Sequence, residues 1–154
     1  MTRVVEKPGT PTRVEASVTP AKHVTTIVGL SVSVRAARIG YAMLSSAFVV
    51  CVLVQVFFAG MGAFGADWSL HLALARFLGL PPLLMAPMAF IGRLSWGLRL
   101  LPPGLMVLIG VQYAFADAAV PAAALHPVNA FLILFLSLLI ARRAWAAASG
   151  RRER

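Results

Sequence analysis

Three stretches of the chain carry no charged residue: Ile39–Ala66, Leu100–Ala116 and Ala118–Ala141. Each is close to, or longer than, the roughly 20 apolar residues that cross a bilayer as a helix. A further apolar run, Trp68 to Ile91, contains Arg76, Pro81, Pro82 and Pro87, which predict a kinked or irregular span. The pattern therefore predicts four membrane spans, 39–64, 68–91, 101–116 and 121–141. An alternative for the second runs from Phe77 towards Leu98 and leaves His71 and Arg76 in an outer loop. Short links between long helices make sequence neighbours antiparallel, so the expected fold is all-α, an up-down-up-down bundle of four transmembrane helices. Residues 1–38 are polar and poor in aromatics, with Pro8, Pro11 and Pro20, and are expected to form a flexible cytoplasmic tail. Within it, the mildly apolar Val24–Val34 is read as a segment lying along the membrane surface. Residues 142–154 form a second, basic tail.

Composition agrees with this pattern. Hydrophobic residues make up 60% of the chain and charged residues 12%, against about 45–50% and 25% in soluble domains. The formal charge of +9 does not form the folded basic face of a nucleic-acid binder. Instead it lies in the tails and in one link: Arg3, Lys7, Arg13, Lys22, Arg35 and Arg38 before the first span, Arg93 and Arg99 between the second and third, and Arg142, Arg143, Arg151, Arg152 and Arg154 at the end. The other two links carry only Asp67 and Asp117. The positive-inside bias then places both termini in the cytoplasm of a cell-membrane protein. The aromatic belt agrees, with Tyr41, Trp96 and Trp145 at the inner interface and Trp68 and Tyr113 at the outer one. The single cysteine, Cys51, excludes an internal disulfide and any multi-thiolate metal site, and no CxxCH is present for covalent haem attachment.

Polar side chains at membrane depth are few: Gln55, His71, Arg76, Gln112, His126 and Asn129. None is acidic, which argues against a proton relay or cation carrier. His71 and His126 each lie shortly after the start of an inward-running helix, at similar depth near the outer face. Spans two and four are diagonal in such a bundle, so the two imidazoles can face each other across its axis. A b-type haem iron needs one neutral imidazole on each side of the porphyrin. Ala59, Gly60, Gly62, Ala63, Gly65, Gly110, Ala114 and Ala116 offer room at that level, although small residues also serve close helix packing. Gln55 precedes His71 as Gln112 precedes His126, in QVFFAGMGAFGADWSLH and QYAFADAAVPAAALH. Each half of the chain thus reads as a helix hairpin with Gln on its outward arm and His on its inward arm. Gln55 and Gln112 are candidates to bond the free ring nitrogens of axial histidines, and Arg76 is a candidate partner for a haem propionate, a lipid phosphate or the polar Gln groups. The bland alternatives are an interfacial His71 beside Trp68, a helix-start His126 bonding local backbone before Pro127, and Gln55, Gln112 and Asn129 as interhelical links.

This arrangement of Gln, small residues, a short turn and an inward helix with His resembles the haem-binding half-bundles of the haem A synthase family. The resemblance covers about Gln55 to Ala141 and implies axial roles for His71 and His126. It does not carry over oxygenase chemistry, because that family's membrane-embedded glutamate has no counterpart here. The stretch LHPVNAFLILFLSLLIARRAW, with the FFAG and DWSLH segments before it, also resembles small four-span bacterial membrane proteins of unknown function. The expected function is a multi-pass membrane protein binding one haem b for electron transfer or haem handling. Its expected partners are the lipid bilayer and either a membrane redox protein or a second copy of the chain. The competing expectation is a cofactor-free accessory subunit of a membrane complex. No Ser–His–Asp set, HExxH motif or phosphate loop points to an enzyme.

Overall fold

The computed structural model describes residues 22–150, with side chains from residue 32 onward. Among these residues there is no strand. The helices are α1 (Lys22–Ala63), α2 (Ser69–Ala75), α3 (Leu80–Ile91), α4 (Trp96–Ala116) and α5 (Leu125–Ala148), with a 3-10 turn at Ala122–Ala124 leading into α5. Helices α2 and α3 are two halves of one broken span, Ser69–Ile91. Four segments are long and apolar enough to cross a membrane: Val32–Ala63, Ser69–Ile91, Trp96–Ala116 and Ala122–Ala148. The all-α four-span bundle read from the sequence is the observed fold.

The bundle closes as a ring in which α1 packs on α3 and α5, and α4 packs on the same two. Helices α1 and α4 are therefore diagonal, as are the α2–α3 span and α5. Tyr41, Phe48, Met85, Leu98, Leu105 and Ile140 fill the centre and are fully buried. Phe57, Leu83, Val107, Phe131 and Phe135 point outward, an apolar surface suited to lipid chains.

Prolines set the boundaries of the second span. Pro81 and Pro82 have no N–H to give to the carbonyls of Phe77 and Leu78, which removes two helical hydrogen bonds at that point. The chain instead turns over Arg76–Gly79 and restarts, with proline in the first turn of α3 where its missing donor costs nothing. Helix α3 ends at Gly92 and at Arg93, whose φ of 49° is left-handed. The Leu94 amide donates to the Ala89 carbonyl at 3.0 Å, and Arg38 Nε donates to the Gly92 carbonyl at 2.8 Å. A basic side chain from α1 thus satisfies a carbonyl at the end of α3. This turn at Gly92–Ser95 contradicts the alternative second span, Phe77–Leu98.

Helix α4 starts at Trp96, earlier than the expected 101, and runs straight through Pro102 and Pro103. Pro102 leaves the carbonyl of Leu98 without its helical donor. The buried hydroxyl of Tyr41 supplies one at 2.8 Å. A donor from α1 therefore lets α4 keep a proline that would otherwise end it. Helix α1 starts at Lys22, so residues 22–38 of the expected flexible tail are helical. No proline occurs between Pro20 and the end of α1 at Ala63. The tail residues 1–21 and 151–154 lie outside the described residues.

Candidate functional site

Of the polar groups expected at membrane depth, Gln55, His71, Gln112, His126 and Asn129 come together near one end of the bundle, and the two hairpins repeat the same bonding. In the first, His71 Nδ1 donates to the backbone carbonyl of Gln55 at 3.2 Å, and Gln55 Nε2 donates to the backbone carbonyl of His71 at 3.0 Å. In the second, His126 Nδ1 donates to the Gln112 carbonyl at 3.1 Å, and Gln112 Nε2 donates to the His126 carbonyl at 2.9 Å. The spacing echo in the sequence is thus a reciprocal clasp used twice. A carbonyl can only accept, so each Nδ1 must carry the proton. In the neutral ring each Nε2 then holds the lone pair.

The two imidazoles belong to diagonal corners, with ring centroids 6.5 Å apart and planes inclined by 54°. Both line a cavity of about 370 Å³, together with Gln55, Gln112 and Tyr113. Of the small residues expected to provide room, Ala59, Gly60, Ala63 and Ala116 line it, joined by Ala75 and Ala130. A Cβ built at Gly60 meets no atom within 4 Å. Gly62 serves another purpose: a Cβ there would lie 2.5 Å from the Trp68 ring, which occupies that space. Trp68 in turn stands edge-on to His71 at 5.5 Å between centroids. Gly65, Gly110 and Ala114 do not line the cavity.

Several expectations change in detail. The Gln residues hold the histidines through their backbone carbonyls, and their side-chain amides bond the histidine backbone rather than the free ring nitrogens. Only Gln55 also reaches a ring nitrogen, His71 Nε2, at 3.3 Å. His126 bonds across to α4 and not to local backbone, and His71 is clasped to α1 and not merely an interfacial residue. Arg76 is exposed in the turn after α2 and is not among the cavity-lining residues, so the structure does not bring it to the site.

Two features escaped the sequence. Asn129, read only as a general interhelical link, donates to Gln112 Oε1 at 2.6 Å and to the Leu108 carbonyl at 2.9 Å. Its position three residues after His126, on the same helix face, was the available signal. Tyr113 donates to the Ala75 carbonyl at 2.6 Å, tying α4 to the end of α2. No sequence pattern announces that bond, because the acceptor is backbone.

Among the described residues no three His, Cys, Asp or Glu side chains gather around a point. A metal held by side chains alone would lack ligands there. An iron whose equatorial positions are filled by a porphyrin needs only two. Cys51 packs against the core and is not part of the site.

The fold and this doubled clasp define a four-span membrane protein with a largely apolar cavity, bearing two imidazoles, near an end of its bundle. Residues 55–120, which include Gln55, His71 and Gln112 but stop short of His126, match DUF6220, described as a family of unknown function. No curated protein matches the chain, and no solved structure does. Nothing in these comparisons supports the resemblance to haem A synthases.

Proposed function

We propose that this multi-pass membrane protein binds one b-type haem between His71 and His126 and serves in electron transfer or haem handling. The observation that carries the reading is the pair of imidazoles from diagonal corners, 6.5 Å apart across a shared cavity. Each has its Nδ1 proton fixed on a carbonyl, the second-sphere bond that orients a histidine and raises its basicity as a ligand. If haem is bound, His71 and His126 would hold its iron, one imidazole nitrogen from each. Ala59, Gly60, Ala63 and Ala116 line the cavity from the diagonal helices α1 and α4, leaving room for macrocycle edges. When bound, the haem would supply a one-electron couple; the chain would supply the ligands and an apolar surround. The distribution of Arg and Asp supports termini in the cytoplasm and a site near the opposite face of the cell membrane.

Protein purified in detergent from cells supplied with haem should show a Soret band at about one haem per chain. His126→Ala should remove most of it. Gly60→Leu, which projects bulk from a position with open space around it, should lower haem content while the protein stays folded by circular dichroism. A colourless wild-type protein, or a Soret band that survives His71→Ala combined with His126→Ala, would overturn the reading.

A further inference from the structure

The two clasps share a pattern but differ in what surrounds them. Both ends of the Gln112 amide are engaged: Nε2 on the His126 carbonyl and Oε1 with Asn129, itself only 6% exposed. The equivalent of Asn129, three residues after His71, is Leu74, which has no donor to offer. Gln55 Oε1 is accordingly buried without a partner, and the Gln55 amide nitrogen turns towards His71 Nε2 at 3.3 Å. His126 Nε2 has no such neighbour among the described residues.

The ligands also sit on unequal supports. His126 lies in the first turn of a long helix packed on both α1 and α4. His71 lies on the seven-residue α2, which packs on α1 alone and is otherwise held by the Tyr113–Ala75 bond. The turn at Arg76–Gly79 follows it directly.

Resting on the haem reading above, we propose that His126 is the permanent ligand and His71 an exchangeable one. The centre then opens on the His71 side to a small neutral ligand of the carbon monoxide class. The reason lies in what each nitrogen meets on leaving the iron. The lone pair of His71 Nε2 is received by the Gln55 amide, whereas that of His126 Nε2 would be left unpaired in an apolar cavity. One coordinate bond replaces another, and no electron is transferred.

The test uses full-length, haem-loaded protein in detergent, reduced and titrated with carbon monoxide under optical and resonance Raman detection. Wild type should bind carbon monoxide by losing one histidine ligand. His71→Ala should keep its haem in a five-coordinate high-spin state, bind carbon monoxide at least about tenfold more tightly, and return to low spin on addition of imidazole. His126→Ala should lose haem. Gln55→Leu, which retains both ligands but removes the partner for released His71, should weaken carbon monoxide binding several-fold, roughly the worth of one hydrogen bond. A reduced wild-type protein that refuses carbon monoxide would overturn the proposal, as would His71→Ala losing haem or His126→Ala keeping it. Absence of a Soret band in wild type would overturn the haem reading itself and this proposal with it.

Discussion

At the residue scale, two contacts carry geometry that composition does not reveal. The Tyr41 hydroxyl donates to the Leu98 carbonyl that Pro102 leaves free. Tyr41→Phe keeps the packing and removes only that donor. It should cost about 1 kcal/mol, in the range of buried hydrogen bonds between membrane helices, measured as a lower unfolding midpoint in mixed detergent. An unchanged midpoint would mean that the carbonyl is satisfied by other means. Gly62 is the second case, because the Trp68 ring fills the space a side chain would need. Gly62→Ala should displace that ring and destabilise the protein by about 1–3 kcal/mol, as overpacking does. The tryptophan emission should shift to longer wavelength as Trp68 loses its contact. Neither partner could be named from the sequence: Gly62 looked like one more small residue offering room, and Tyr41 like one more interfacial aromatic.

At the element scale, what the sequence disclosed depended on whether the signal was local. Apolar run length identifies a spanning helix, so the four spans were readable, and with them the diagonal placement of His71 and His126. Proline was ambiguous. Pro81 and Pro82 do restart the chain, while Pro102 and Pro103 lie within an unbroken α4, where Tyr41 supplies the donor that Pro102 lacks. The start of α1 was hidden for a related reason: polar residues from Lys22 to Arg38 say nothing against a helix that a long apolar continuation can extend. An exposed carboxylate, Asp67, stands just before the short α2. The Ser69 hydroxyl, then the backbone amides of Ser69 and Trp68, bond the Asp67 carboxylate and hold its pKa below the usual carboxylate value. The folded value is the depressed one, so its contribution is present above the unfolded pKa and lost as pH falls through the folded one. Acidification through and below the usual carboxylate range should loosen the start of α2, seen as faster hydrogen exchange at Ser69–His71. Asp67→Asn should show the loosening at neutral pH with little further change on acidification. An acid response as large in Asp67→Asn as in wild type would assign it to another group.

At the scale of the whole molecule, the chain is two helix hairpins that each close with a Gln–His clasp and meet around one chamber. The spacing of Gln55 to His71 and Gln112 to His126 disclosed the repeat. It could not disclose that the repeat is chemical as well as topological, since both halves use backbone carbonyls that carry no sequence signature. The departures from symmetry, Asn129 against Leu74 and a long α5 against a seven-residue α2, underlie the unequal roles proposed for His126 and His71. Arg76 was assigned to the site because a charge at membrane depth demands a reason; the turn after α2 carries it to an exposed position instead. The central claim is that both imidazoles bind one iron. Electron paramagnetic resonance of the ferric, haem-replete protein tests it most directly: the account predicts a low-spin, six-coordinate bis-imidazole signal that becomes high-spin in His71→Ala, and a wild-type protein with no haem-iron signal, or a low-spin signal unchanged in the variant lacking both histidines, would contradict it.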